Sequence, residues 1–422
     1  MKAAVPRRGF YGWWALVGGM FVYFIACGCY YYSYGVLAPR WIIDYHIPVP
    51  TVSLAYMLFA LMIGLPGPLI GYSLVRWGPR RTIFGGTLAG ALGLFLLSTT
   101  VAPWAIILFF GLLVGLGFGF AGYTSVTTLA NNWFVRRRGL AMGLVLGAGG
   151  LGGFVFSPLI SWMAINWGIR TALIVLAVCA IVLAGGGTLL LIRNRPEDLG
   201  QYPDGIPPQP AKANPAPSSN PAARVIDWTA REAFRSFTLW MVVIIGAANG
   251  WALGTVVAHQ VTHFELMGIP KLVAAGALGL VPGMSVLGRL TYGPLTDRFA
   301  AKWVTVGYLV LELLAVILLF FARSVGVMYL YAILFGLAYG GLLVAWPVLI
   351  GLYFGRRYYA QILGWVLPVT TILMATAPLV GGLLFTAAGG VYTITFIVVM
   401  AFVAAGLVAA LLLRRPVHPS ER

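Results

Sequence analysis

Gly71-Tyr72-Ser73-Leu74-Val75-Arg76-Trp77-Gly78-Pro79-Arg80-Arg81 returns 222 residues later as Gly293-Pro294-Leu295-Thr296-Asp297-Arg298-Phe299-Ala300-Ala301-Lys302. A second pair keeps nearly the same distance. Trp133-Phe134-Val135-Arg136-Arg137 is matched by Tyr353-Phe354-Gly355-Arg356-Arg357, 220 residues on. Each copy is a short basic run that follows a long apolar one. Two independent signatures at almost one offset imply a chain built of two duplicated halves.

The solvent of those halves follows from composition. Of the 422 residues, 60% are hydrophobic and only 9% charged. A water-exposed domain carries roughly 25% charged residues, so this surface is made for lipid. A spanning helix needs about 20 mostly apolar residues. Such runs fall at roughly 11–38, 53–75, 82–101, 104–130, 139–161 and 171–192, then 237–261, 272–296, 303–322, 326–352, 359–386 and 391–413. The basic stretch from Met1 to Phe10 leads straight into the first run with no small-residue cleavage site, so a membrane helix is expected there in place of a signal peptide. The expected class is an all-α membrane protein of twelve transmembrane helices in two pseudo-symmetric six-helix bundles. One bundle covers residues 1–192 and the other 237–422, with a linker over 193–236. That linker holds Pro207-Pro208-Gln209-Pro210 and Pro215-Ala216-Pro217-Ser218-Ser219, too polar to fold alone. Its end, Asp227 to Arg235, reads as a short surface helix. Parallel repeats of this kind are a transporter design.

Charge placement sets the orientation. The net charge of +17 does not point to nucleic acid, because the cations sit in clusters between apolar runs. The side bearing the termini and the linker holds 22 of the 27 Lys and Arg, among them Lys2, Arg7, Arg8, Arg76, Arg136, Arg137, Lys212, Arg224, Arg298 and Arg422. The other side holds four: Arg40, Arg170, Lys271 and Arg323. That asymmetry predicts a multi-pass protein of the inner (plasma) membrane with both termini cytoplasmic. Cys27, Cys29 and Cys179 all lie in apolar runs and form no disulfide framework.

The repeated Gly71 and Gly293 segments resemble the signature loops of the major facilitator superfamily, and the resemblance covers the whole chain. It implies the major facilitator fold. That pattern places an acid before the Arg; the second copy keeps it as Asp297, whereas the first has Val75. Arg76, Asp297, Arg298, Arg136 and Arg137 are therefore expected to serve a cytoplasmic gate and to set topology.

Only Arg289 is a basic residue deep inside an expected span, eight residues before Asp297 and so about 12 Å away along a helix. A charge near the bilayer centre costs about 2.5–3.5 kcal/mol on insertion scales and normally faces the bundle interior. A guanidinium there is a bidentate carboxylate clamp, or else a gate residue bonded to backbone carbonyls. Of the ten acids, only Glu312 falls well inside a span. The first half has none, which argues against a cationic cargo.

The surrounding sequence is more particular. Val257-Ala258-His259-Gln260-Val261-Thr262-His263-Phe264, Ser285-Val286-Leu287-Gly288-Arg289-Leu290-Thr291-Tyr292-Gly293, Arg136-Arg137-Arg138-Gly139 and Arg195-Pro196-Glu197-Asp198 together resemble the monocarboxylate transporter family. The likeness is to its prokaryotic branch, near the oxalate–formate antiporters. In that family a span-eight Arg binds the substrate carboxylate, and Arg289 stands at that position. The departures are informative. Tyr30-Tyr31-Tyr32-Ser33-Tyr34 replaces the span-one Lys of the animal members, and Ser285 replaces an Asp one turn before the Arg. No second cation lies between Tyr358 and Phe385, so a monoanion such as lactate or pyruvate is favoured over oxalate.

The resemblance implies a secondary transporter, not an enzyme. It would use no cofactor or metal, and its partners would be a small monocarboxylate, protons and the lipid bilayer; a monomer is expected. His259 is a candidate for both substrate binding and proton coupling, since histidine titrates near neutral pH; otherwise it is a satisfied helix-end residue. Glu312 is the second proton candidate, or else structural. Tyr32, Tyr34, Tyr123 and Tyr339 are candidate cavity hydrogen-bonders, or else packed aromatics. At 100° per residue the span-one tyrosines cannot all face one side. Bends are expected at Pro66, Pro68, Pro158, Pro282, Pro347 and Pro368. An organic-anion exchanger without proton coupling, or a carrier of a larger carboxylate, is the competing reading.

Overall fold

A computed structural model describes residues 9–100, 102–207 and 227–418. The expectations for Lys2, Arg7, Arg8, Lys212, Arg224 and Arg422 and for the proline-rich stretch 208–226 lie outside the described residues. The apolar runs are helical, as a chain in lipid requires to satisfy its own backbone. In order they are α1 (Gly12–Ile43), α2 (Val49–Gly64 and Gly67–Arg76), α3 (Gly78–Thr99), α4 (Pro103–Trp133), α5 (Arg138–Asn166) and α6 (Gly168–Leu191). The second set is α7 (Phe237–Leu266), α8 (Lys271–Arg298), α9 (Ala301–Phe321), α10 (Val325–Phe354), α11 (Tyr359–Ala387) and α12 (Thr393–Leu412). Among the described residues ten of these are long and apolar enough to cross a membrane, and the bent pair of α2 makes eleven. The remaining long helix, α8, has 28 residues, about 42 Å at 1.5 Å per residue.

The packing repeats from half to half. α1 lies on α5 and α6 as α7 lies on α11 and α12; α2 lies on α4 as α8 on α10; α3 lies on α4 and α6 as α9 on α10 and α12. The halves meet through two equivalent pairs, α5 with α8 and α11 with α2. Glycine makes both contacts possible. A Cβ on Gly67 would run into the Gly364 carbonyl, and one on Gly364 into that of Gly67. Gly139 and Gly293 stand in the same reciprocal relation. Small residues allow such close helix approach in lipid.

These crossings occupy the end of the molecule that carries the loops after α2, α4, α8 and α10, hereafter the basic face. From there they continue as far as Gly64 against Thr371 and Gly150 against Val286 and Arg289. The halves are thus joined from the basic face up to the level of Arg289.

Among the six prolines expected to bend their helices, only Pro66 coincides with an interruption, at Leu65-Pro66, where the two parts of α2 meet at 42°. Pro158, Pro282, Pro347 and Pro368 sit within unbroken helices, and Pro68 lies in the first turn of one. Neighbouring helices and local adjustment tolerate them. The real irregularities lie elsewhere. α1 contains a π turn over Cys27–Tyr31, and α4 breaks at Gly122, with φ −91° and ψ −136°.

Candidate functional site

Arg289 is 5% exposed and projects from α8 toward the other half. Its Nη1 donates to the Leu146 carbonyl of α5 at 2.9 Å, and Nη2 donates to Ser285 Oγ, one turn back, at 3.4 Å. Its Nε is buried with no partner among the described residues. Tyr339 of α10 and Tyr32, Tyr23 and Cys27 of α1 stand within its electrostatic reach, and so does Tyr123 of α4. Three helices, α1 and α4 from the first half and α10 from the second, therefore bring phenols to one guanidinium. No Asp or Glu is among these neighbours.

The π turn explains how α1 supplies so many groups. The Tyr32 N–H bonds to the Cys27 carbonyl at 2.9 Å, five residues back. This widened turn carries Tyr31 and Tyr32 round to the face that already holds Tyr23 and Cys27. Tyr31 and Tyr32 meet edge to face, 5.1 Å between ring centres. Tyr31 also lies within hydrogen-bonding reach of Tyr56 on α2. Tyr30 points away, buried, and donates to the Thr87 carbonyl of α3 at 2.9 Å. π turns recur at functional sites.

Tyr123 begins the helix after the Gly122 break. Its hydroxyl donates to the Leu343 carbonyl of α10 at 2.8 Å, and its ring stacks on Trp346 at 5.3 Å. It links the halves as well as facing Arg289. Tyr34 stands apart from the guanidinium: it stacks on Tyr56 at 4.4 Å and donates to the Val52 carbonyl at 3.3 Å.

The two proton candidates do not join this cluster. A carbonyl can only accept, so His259 Nε2–H donates to the Pro378 carbonyl at 2.9 Å. Its Nδ1 lies 3.3 Å from the Tyr392 hydroxyl. These partners belong to α11 and to the approach to α12. Glu312 is wholly buried in α9, and neither carboxylate oxygen has a partner among the described residues.

The gate candidates divide. Asp297 spans the halves, its two oxygens accepting the Gly139 and Leu140 N–H groups at the start of α5, each at 2.9 Å. Arg298 lies in the last turn of α8. Arg76 donates to Tyr72 Oη on its own helix at 2.6 Å. Arg137 sits 5.9 Å over the Trp13 ring, and Arg136 takes part through its backbone N–H, which Asp204 accepts at 2.8 Å.

Several participants are absent from the reading of the sequence alone. Tyr23, Tyr56 and Trp346 carry no signal beyond being aromatic in apolar runs. Asp204 and Asp227 look like ordinary linker acids. Among the described residues no three His, Cys, Asp or Glu gather as a metal set. The arrangement offers one fixed positive charge, rimmed by hydroxyls and aromatic walls, where the two halves meet. It can hold a single carboxylate by paired charge-assisted hydrogen bonds.

Known proteins extend this picture. The chain is 27% identical to "Monocarboxylate transporter 13" of Bos taurus, with 96% of this chain and 89% of that protein covered. It is 25% identical to the "Uncharacterized MFS-type transporter YhjX" of Escherichia coli K12, over 83% and 82% of the two chains. Among solved structures, the fucose transporter FucP in its outward conformation matches with a TM-score of 0.72 at 14% identity, covering 94% of this chain and 98% of that one. The human organic anion transporter MFSD10 matches with a TM-score of 0.69 at 13% identity, covering 96% and 100%. At such identities these structures bear on the fold alone. The sequence description of the Major Facilitator Superfamily matches residues 19–292 and 284–422. With the repeated packing and the paired loops, this makes the chain a multi-pass membrane transporter that belongs to the major facilitator superfamily.

Proposed function

We propose that this protein carries small monocarboxylates of the lactate and pyruvate kind by alternating access, with Arg289 binding the carboxylate. The observation that carries the reading is the buried Arg289 fork, aimed between the halves with its Nε unpartnered and no acid beside it. A lone intramembrane cation needs an anion, and one guanidinium matches one carboxylate. Tyr32, Tyr123 and Tyr339 are placed to contact the rest of the cargo. The relatives named as monocarboxylate transporters agree with this class. The basic face is assigned to the cytoplasm by the excess of Lys and Arg in its loops, with the linker domain boundaries at 193 and 236 and a monomer as the working unit.

Proton coupling belongs to the proposal, with His259 and Glu312 as its carriers and His259 a further contact for the cargo. Ser285 favours a second reading, an anion exchanger without proton coupling. It stands one turn from Arg289, where a titratable acid would be best placed to move a proton with the cargo.

The test is uptake of labelled lactate or pyruvate into vesicles containing the purified protein. An inward proton gradient should accelerate uptake severalfold, and Arg289→Gln should abolish it. Full uptake by that variant would remove Arg289 from the site. Uptake that ignores the gradient but speeds up with carboxylate loaded inside would select the exchanger.

A further inference from the structure

The duplicated loops after α4 and α10 are each held by an acid outside the duplicated sequence, the amides taken differing by one position between the copies. Asp204 Oδ2 accepts the N–H groups of Val135 and Arg136 at 2.9 and 2.8 Å. Asp227 Oδ1 accepts those of Arg356 and Arg357 at 2.9 and 3.0 Å. Each thus takes two successive amides of one copy of the Phe-x-Arg-Arg loop. Asp204 reaches its loop from the segment after α6, and Asp227 from the segment before α7.

Further contacts fasten both segments. Before Asp204, the Asn132 side chain donates to the Asn194 carbonyl at 3.1 Å, and Trp133 Nε1 donates to the Arg193 carbonyl at 2.9 Å. After Asp227, the Trp228 N–H donates to the Phe354 carbonyl at 3.1 Å and its ring packs on Phe354. One side chain then joins the two assemblies. Arg356, from the second-half loop, donates to the Asn132 carbonyl in the first half at 2.7 Å and pairs with Glu197. Asp204 holds its position in the left-handed region, at φ 56°, a conformation that a non-glycine residue keeps only when its surroundings fix it.

We propose that Asp204 and Asp227 are positioning residues of the transport cycle. They clamp the two duplicated loops, and through Arg356 and Glu197 they hold the halves together on the basic face. Opening that face separates Arg356 from Asn132 and Glu197. The linker ends therefore bias the resting state toward closure there. Neither aspartate touches cargo, so the effect does not depend on which anion is carried.

Hydrogen exchange on the full-length protein in lipid nanodiscs tests this without knowledge of the cargo. Asp204→Asn is suitable because Asn also tolerates the left-handed turn, so the change removes charge and keeps the backbone. Asp204→Asn and Asp227→Asn should each raise exchange roughly fivefold, as two charge-assisted bonds become neutral ones. The rise should appear in the loop concerned and also in the interhalf segments 64–71, 139–150, 286–297 and 360–367. Exchange that rises only in the mutated loop, or nowhere, overturns the proposal. Glu197→Gln removes a half-exposed partner of Arg356 and leaves both loop caps in place, so it answers the question even where an aspartate variant fails to fold. It should raise exchange in the same interhalf segments about twofold, at the scale of an exposed ion pair; unchanged interhalf exchange in it rejects the clamp.

Discussion

Arg289 shows what one side chain must balance in a membrane. Placing it at depth costs about 2.5–3.5 kcal/mol on insertion scales. The Leu146 carbonyl, Ser285 Oγ and the surrounding phenols offset part of that cost. A charge-matched replacement isolates the fork from the charge. Arg289→Lys keeps the cation and loses bidentate geometry; initial rates of labelled uptake should show kcat/KM lowered by at least about tenfold, one charge-assisted bond. Tyr32→Phe and Tyr339→Phe should raise KM severalfold with normal thermal stability, since each removes one hydroxyl at the rim. The burial of Arg289 between the halves was legible in the sequence because a lone charge in an apolar span normally faces the bundle interior. Tyr23 and Tyr56 were not, because a tyrosine in such a run gives no sign of its direction. Tyr34, close to Tyr32 in sequence, stacks on Tyr56 and donates to the Val52 carbonyl.

Among the helices, α1 and the α2–α11 crossing matter most. Regular α-helical spacing sends Tyr31 and Tyr32 about 100° apart; the π turn alters that bearing, and nothing in Cys27-Gly28-Cys29-Tyr30-Tyr31 announces it. The prolines act differently. A missing N–H weakens a helix locally, but packed neighbours keep it continuous, and of the six expected to bend their helices only Pro66 coincides with a break. The glycines at the crossing have no slack. Gly364→Val would press a branched side chain against the Gly67 carbonyl. It should cost about 1–3 kcal/mol by overpacking, read as a lower thermal midpoint in detergent, while Gly307→Ala, where nothing lies within 4 Å, should not lower the midpoint, since Ala favours a helix interior over Gly.

Across the whole molecule the duplication is complete in packing and incomplete in its acids. Asp297 closes the α8–α5 contact through two backbone N–H groups. The equivalent position facing the start of α11 is Val75, which has no carboxylate to offer. Val75→Asp should supply it. The added cap should protect segment 359–364 from hydrogen exchange severalfold and slow net uptake, because closure on the basic face becomes harder to reverse; unchanged protection would mean that the α2–α11 contact has no room for a cap. The two-halved plan was readable from four short loops. Its lopsided fastening was half readable, since Val75 is visible in sequence, whereas the amides that Asp204 and Asp227 hold are brought to them only by folding.

The bond from Arg289 to the Leu146 carbonyl joins one half to the other. On the proposed reading, that backbone oxygen takes a place that a carboxylate oxygen would claim. Cargo would then exchange one oxygen for another, while a return without cargo would have to break that tether unaided. If so, the same contact discourages slippage, and the expected sign is one-for-one swapping across the membrane that outpaces net flow.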